Sequence, residues 1–138
     1  MLPKVKILYV DDYDLVLLTV KQMLELEGWQ TDVCRDGAAA CRQIKSGKQY
    51  DLLILDNQLP HASGLTLVRS ARTSFKHRDT PIIMFTASDC KHEALAAGAN
   101  IFLKKPLGIT KMVDAIKQLL ATQSQVPSLE SRVASPAL

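Results

Sequence analysis

Short, uninterrupted apolar segments, separated by longer segments of helical period, limit most strongly how this chain can fold. The apolar runs do not alternate with polar residues, as Leu52–Leu55 (LLIL) and Ile82–Phe85 (IIMF) show. A strand exposed to water on one face alternates, whereas a strand covered on both faces reads as a continuous apolar run. The pattern therefore predicts an α/β domain whose parallel sheet is buried between two layers of helices.

We predict five strands and five helices in alternation. The strands are Val5–Val10, Gln30–Cys34, Leu52–Leu55, Ile82–Phe85 and Ile101–Leu103. The helices are Leu15–Glu27, 38–45, Gly64–Ser74, Lys91–Ala96 and a last one that begins near Ile109. Gly28 supplies the end signal of the first helix.

Composition sets the domain organisation. The chain has 138 residues, enough for one domain with its own core. After Gln123 the helical period ends, and Ser124–Leu138 carries four Ser and two Pro. We expect one domain over residues 1–123, followed by a disordered tail or truncated linker over 124–138.

Charge and cysteine content exclude several classes of partner. The net charge is only +3, and the 17 basic residues form no stripe with aromatic residues, which argues against direct nucleic-acid binding. No apolar stretch approaches the ~20 residues of a membrane span. Three cysteines without paired spacing fit a reducing compartment. We expect a cytoplasmic protein that does not contact membranes.

Polar residues fall where the predicted strands end. Asp11 and Asp12 follow the first strand, Asp56 the third, Thr86 the fourth, and the segment 104–106 (Lys-Lys-Pro) the fifth. The carboxyl ends of parallel strands share one edge of the sheet, where ligands bind. Three carboxylates, a hydroxyl and an ammonium are therefore expected at one place.

This set of groups suits phosphoryl transfer. Crowded carboxylates repel one another, and Mg²⁺, which prefers oxygen ligands, relieves the repulsion. The metal, a lysine and a hydroxyl can then stabilise a transferring phosphoryl group. A carboxylate can itself be the nucleophile, and Asp56, alone on its strand, is the natural candidate, with Asp11 and Asp12 on the metal.

Four segments carry a resemblance to a known family. They are ILYVDD (Ile7–Asp12), LLILDNQLPHASG (Leu52–Gly64), FTA (Phe85–Ala87) and AGANIFLKKP (Ala97–Pro106). With these segments in this order, the chain from about Lys4 to Ala121 resembles the receiver domains of two-component response regulators. The resemblance implies a doubly wound, five-stranded, flavodoxin-like fold. It also implies a phosphorylation-dependent signalling switch rather than an ordinary enzyme, with slow self-catalysed phosphoryl transfer and autodephosphorylation.

The resemblance also implies roles for individual residues. Asp56 would accept the phosphoryl group from a histidine kinase or histidine phosphotransfer protein. Asp12 would bind Mg²⁺ directly, and Asp11 would be a nearby or water-mediated ligand. The backbone carbonyl of Gln58 would complete the protein's share of the coordination. Lys105 would bind phosphoryl oxygens.

Two further positions would report the phosphorylated state to an unknown downstream protein. Thr86 would bind a phosphoryl oxygen and move toward it, and Phe102 would turn inward as the switch aromatic. The family often has a cis peptide bond before the matching proline, so Lys105–Pro106 is a candidate for one.

The chain departs from the family pattern between the fourth and fifth strands. Thr86 and Lys105 are 19 positions apart, nearly one helical turn less than is usual in receivers. The missing residues fall in the fourth helix, so we expect that helix to be short. Phe102 also lacks the hydroxyl of the commoner tyrosine.

Other interpretations stay open at this stage. Segment 12–16 (DYDLV) resembles the nucleophile motif of haloacid-dehalogenase-like phosphatases, although no acidic pair follows Lys105 to complete their metal site. A flavodoxin-like electron carrier would need a phosphate-binding loop where Asp11 and Asp12 stand. A degenerate receiver could serve only as a protein-interaction module. The histidines are interpreted as surface residues: His61, His77 and His92.

Overall fold

The computed structural model of the chain describes residues 4–125. Its strands are β1 (Lys6–Val10), β2 (Gln30–Cys34), β3 (Leu52–Leu55), β4 (Ile82–Thr86) and β5 (Ile101–Lys104). Its α-helices are α1 (Asp14–Leu26), α2 (Gly37–Lys45), α3 (Gly64–Thr73), α4 (Lys91–Ala97) and α5 (Met112–Gln125). No helix among the described residues is long and apolar enough to cross a membrane.

The five strands form one parallel sheet in the order β2-β1-β3-β4-β5. From β1 the chain moves outward to β2, then returns to place β3 on the other side of β1. This reversal of direction creates a crevice at the carboxyl ends of β1 and β3, where open α/β sheets bind ligands. The prediction of a doubly wound, five-stranded parallel sheet is confirmed.

Both faces of the sheet are covered, which explains the continuous apolar runs. Alternate residues of one strand enter different cores: Leu53 and Leu55 pack with α2, α3 and α4, whereas Leu52 and Ile54 pack with α1 and α5. Successive strand residues point to opposite faces, so every position of β3 must be apolar. All four of its residues are fully buried.

The segment between β4 and α5 contains the main differences in element bounds. Helix α4 has seven residues, which confirms the predicted shortening, and Gly98 ends it at a φ of 124°. A 3-10 turn over Leu107–Lys111 precedes α5, so the α-helix begins at Met112 and not near Ile109. Helix α5 extends to Gln125, and most of the predicted tail, 126–138, lies outside the described residues.

His77 is buried, and the prediction that it lies on the surface is wrong. One ring nitrogen accepts a hydrogen bond from the Tyr50 backbone N–H at 3.2 Å, and the other lies 3.1 Å from the carbonyl of Ile44. The imidazole ring also stacks on Tyr50, with centroids 6.0 Å apart. Burial lowers the pKa of His77, so the neutral ring links α2 to the start of β3. His61 and His92 are exposed, as predicted.

Candidate functional site

The sheet brings the predicted polar residues to one edge. The Asp56 backbone N–H donates to the carbonyl of Val10 at 3.0 Å, which continues the β1–β3 ladder by one residue. The Lys105 N–H donates to the carbonyl of Thr86 at 2.9 Å and continues the β4–β5 ladder in the same way. Asp56 thus occupies the middle of the edge, with β1 on one side and β4 on the other.

Three carboxylates meet at this edge. Asp11, Asp12 and Asp56 each offer an oxygen within 4.8 Å of the others. Asp11 and Asp56 are buried, whereas Asp12 is exposed, so the cluster opens to solvent on the side of Asp12. Oxygen donors of this kind and charge suit Mg²⁺, which keeps several waters and takes few protein ligands. The residues present therefore fit a divalent cation.

Lys105 bridges the two buried carboxylates. Its ammonium lies 2.7 Å from Asp11 Oδ2 and 2.9 Å from Asp56 Oδ2, and about 5.4 Å from the centre of the Phe85 ring. Burial alone would lower the pKa of Lys105, but the hydrogen bonds to Asp11 and Asp56 outweigh it, so the pKa is raised. The lysine stays charged and offsets the carboxylates. Its neighbour Lys104 is exposed and pairs with Asp89.

Asp11 has hydrogen-bond donors on both of its oxygens. Oδ1 accepts from the Tyr13 backbone N–H at 3.0 Å, and Oδ2 accepts from the Tyr9 hydroxyl at 2.7 Å. Burial, followed by the charge of Asp11, raises the pKa of Tyr9 far above its usual value, so the hydroxyl remains a donor. Sequence reasoning treated Tyr9 as core. The signal it missed is spacing, since positions i and i+2 of a strand share a face.

The loop after β3 holds Asp56 from the other side. The Gln58 backbone N–H donates to Asp56 Oδ1 at 3.3 Å, and Asn57 Oδ1 accepts from the Leu65 N–H at 3.1 Å at the start of α3. Gly64 lies so close that a Cβ there would fall 2.1 Å from the Asp56 carbonyl oxygen. A glycine at this position allows α3 to begin directly against the acidic residue.

The two proposed switch residues lie beside this cluster on neighbouring strands. Thr86 is fully buried, and its hydroxyl oxygen accepts from the Ser88 N–H at 3.2 Å. Phe102 is partly buried against the core formed with α2, α3 and α4. Thr86 pairs with Lys104, two residues after Phe102, so Thr86 and Phe102 are diagonal neighbours on one face of the sheet.

The Lys105–Pro106 peptide bond is cis. It lies directly after β5, at the residue whose ammonium reaches the carboxylates.

The fold and the site together define a doubly wound α/β domain with an acidic, lysine-bridged crevice at the switch point of its sheet. A family model, described as "Response regulator receiver domain", matches residues 7–117. The chain belongs to this family and is a receiver domain of two-component signalling.

Individual relatives agree with this assignment. The aerobic respiration control sensor protein ArcB of Escherichia coli is 35% identical over 130 residues, a match that covers 92% of this chain but only 17% of ArcB. The receiver domain of a Pseudomonas aeruginosa sensor histidine kinase, solved with a magnesium ion in its active-site cleft, has a TM-score of 0.78 at 26% identity. That match covers 86% of this chain and 99% of the solved one. The response regulator TrrA of Thermotoga maritima, in complex with Mg²⁺ and BeF, has a TM-score of 0.74 at 31% identity. That match covers 83% of this chain and 98% of the TrrA chain.

Proposed function

We propose that Asp56 of this receiver domain accepts a phosphoryl group from a histidine kinase or histidine phosphotransfer protein, with Mg²⁺ bound beside it. The observation that carries the proposal is the position of Asp56. It lies at the centre of the crevice, within reach of the Lys105 ammonium and of two further carboxylates. A nucleophilic carboxylate needs positive charge placed where the phosphoryl oxygens arrive, and this edge supplies it.

The metal would be held by the carboxylates of Asp11, Asp12 and Asp56 and by the backbone carbonyl of Gln58. When bound, it supplies charge neutralisation for the phosphoryl oxygens and the acids. Related receivers solved with magnesium in the cleft support this assignment. The open side at Asp12 gives a hydrated cation a route into the cluster.

The reaction replaces one phosphorus bond by another. A carboxylate oxygen of Asp56 attacks the phosphorus of a phosphohistidine, and the phosphorus–nitrogen bond breaks. The bonding electrons leave with the imidazole nitrogen, which then takes up a proton. The product is an acyl phosphate on Asp56. We expect slow autodephosphorylation, by attack of water on the same phosphorus.

Lys105 and Thr86 would stabilise the product. Phosphorylation removes the negative charge from the Asp56 carboxylate and places charge on the phosphoryl oxygens, so the Lys105 ammonium would move toward those oxygens. The Thr86 hydroxyl uses its oxygen to accept from Ser88 and so keeps its proton free to donate to a phosphoryl oxygen. To donate this proton, Thr86 would move toward the phosphoryl group and pull on the β4–α4 loop. The move would free space for Phe102, the diagonal neighbour of Thr86, to turn inward.

The geometry favours this function over the phosphatase alternative. In the phosphatase interpretation of segment 12–16, Asp12 is the nucleophile and the second acid, Asp14, must share the reacting centre with it. Asp14 is the first residue of α1 and pairs instead with Arg35 at 2.5 Å. The complete set of groups around Asp56 likewise favours a reactive receiver over a degenerate interaction module.

We further propose residues 1–123 as the receiver unit, acting in the cytoplasm through a downstream protein. The three cysteines are free, which suits a reducing compartment.

Intact mass after incubation with acetyl phosphate tests the function. We expect a gain of one phosphoryl group that requires Mg²⁺ and is lost in Asp56→Asn. If wild type gains no mass and releases no phosphate from the donor, the proposal is wrong.

A further inference from the structure

The Tyr9 hydroxyl makes a contact that the phosphoacceptor function does not yet account for. It donates to Asp11 Oδ2 at 2.7 Å, in the buried half of the acidic cluster. Tyr9 lies in β1 with its side chain in the core formed with α1 and α5, and it is fully buried. An apolar residue would fill that core equally well, so the hydroxyl is the part that needs an explanation.

Two donors share one oxygen of Asp11. Oδ2 contacts both the Tyr9 hydroxyl and the Lys105 ammonium, each at 2.7 Å. Oδ1 is held by the Tyr13 N–H. Of these groups, Lys105 is shared with Asp56 and is the one expected to leave for the phosphoryl oxygens. The Tyr9 hydroxyl is fixed by the packing of its ring and stays.

We propose that Tyr9 is a positioning residue for the metal site: its hydroxyl holds the Asp11 carboxylate in place when Mg²⁺ binds and when Lys105 moves to the phosphoryl oxygens. This inference rests on the proposed function, since it concerns the same metal and the same lysine. Residues that hydrogen-bond a metal ligand from behind fix its orientation, and their loss commonly costs ~10–100-fold in metal affinity.

Without the hydroxyl, two effects act in the same direction. Asp11 would lose a rigid donor and sample more orientations, so fewer of them would suit a cation. Among residues 4–125, Lys105 would also be the one side-chain donor left on Asp11 Oδ2. Its ammonium would then bind this oxygen more firmly and compete better with an incoming cation. Both effects weaken Mg²⁺ binding.

The chain contains a matched control for this contact. Tyr50 is also buried, and its hydroxyl donates to Asp32 Oδ2 at 2.9 Å. Tyr50 precedes β3, whereas Asp56 follows it, and Asp32 lies in the middle of β2, so the Tyr50–Asp32 pair lies away from the acidic cluster. Tyr50→Phe removes the same chemical contact away from the metal site.

Titration calorimetry with Mg²⁺ on the whole chain tests the inference. For wild type, Tyr9→Phe and Tyr50→Phe, the Mg²⁺ dissociation constant is measured together with the melting temperature in the absence of Mg²⁺. We expect Tyr9→Phe to raise the dissociation constant about tenfold and Tyr50→Phe to leave it within twofold of wild type, while both variants stay folded.

The outcomes separate this inference from the proposed function. If wild type binds Mg²⁺ and Tyr9→Phe binds it equally well or more tightly, the role of Tyr9 is wrong and the metal site stands. Equal weakening in both variants would mean a general effect of stability, which also overturns the role. If wild type does not bind Mg²⁺, the metal site itself is wrong, and the inference falls with it.

Discussion

Lys105 and Asp56 lie 49 positions apart in sequence, yet the ammonium of one is 2.9 Å from a carboxylate oxygen of the other. The parallel sheet creates this contact, because β3 and β5 both end at the edge that carries the acidic cluster. The same ammonium contacts Asp11, so one partly buried cation offsets two buried anions. Removal of Lys105 would leave the charges of Asp11 and Asp56, both buried, without this partner.

Lys105→Met is expected to destabilise the fold by about 3–5 kcal/mol, because it leaves two buried carboxylates without their cation. The exposed neighbour provides the control: Lys104→Met should change stability by less than about 1 kcal/mol, since surface pairs contribute little. Urea unfolding without Mg²⁺ measures both changes. Equal effects in the two variants would contradict the bridging role of Lys105.

Mg²⁺ is expected to stabilise wild type, since a ligand bound by the native state alone raises the free energy of unfolding by about 2.7 kcal/mol at 100 times its dissociation constant. Asp12→Ala should lose most of this gain. Asp14→Ala is the matched control, because Asp14 is exposed, two positions away and paired with Arg35. Melting curves with and without millimolar Mg²⁺ provide the measurement. A similar Mg²⁺ response in all three proteins would argue against the acidic cluster as the metal site.

Gly64→Ala is expected to damage both stability and phosphorylation. Its Cβ would fall 2.1 Å from the Asp56 carbonyl oxygen, so the backbone at the acceptor must move, at a cost of about 1–3 kcal/mol or more. Gly28→Ala supplies the comparison. That position has open space and a φ of 89°, so the cost should be about 1–2 kcal/mol of backbone strain. Phosphoryl gain by intact mass should fall in Gly64→Ala and not in Gly28→Ala.

Acid is expected to destabilise the fold through His77. The folded state lowers the pKa of this histidine by burial, so the unfolded chain binds the proton more readily. The contribution of neutral His77 to the free energy of unfolding is therefore fully present above the unfolded pKa of about 6.5. It is lost as the pH drops below that value, by at most about 1.4 kcal/mol per pH unit for one proton.

Chemical unfolding between pH 7.5 and 5 measures this dependence. His77→Gln should flatten the profile, whereas His61→Gln, at an exposed position, should leave it as in wild type. A profile unchanged by His77→Gln would show that other groups cause the loss.

The sequence predicted the fold well because its strongest signals are local. The run Leu52–Leu55 followed by Asp56 needs no knowledge of the partner strands to indicate a buried strand that ends at an acid. The short α4 likewise follows from the spacing between Thr86 and Lys105. What the sequence could not show are contacts decided by register and packing.

Tyr9 and His77 illustrate that limit. The hydroxyl of Tyr9 matters because it reaches a buried oxygen of Asp11, and the apolar run alone does not distinguish that tyrosine from a core residue. The burial of His77 depends on Tyr50, 27 positions away. Tyr50 lies just before β3, and its backbone N–H donates to the imidazole ring. The i, i+2 spacing of Tyr9 and Asp11 shows only that the two residues share a strand face, and the contact of His77 with Tyr50 has no local signature.

The most direct test of the central claim is to locate the phosphoryl group itself. Wild type is incubated with acetyl phosphate and Mg²⁺ and treated with borohydride, which reduces an acyl phosphate to an alcohol, and the peptides are then mapped by mass spectrometry. We predict homoserine at position 56, and none there when Mg²⁺ is withheld. Homoserine at Asp11 or Asp12, or phosphate on a residue other than an aspartate, would contradict the assignment of Asp56 as the acceptor.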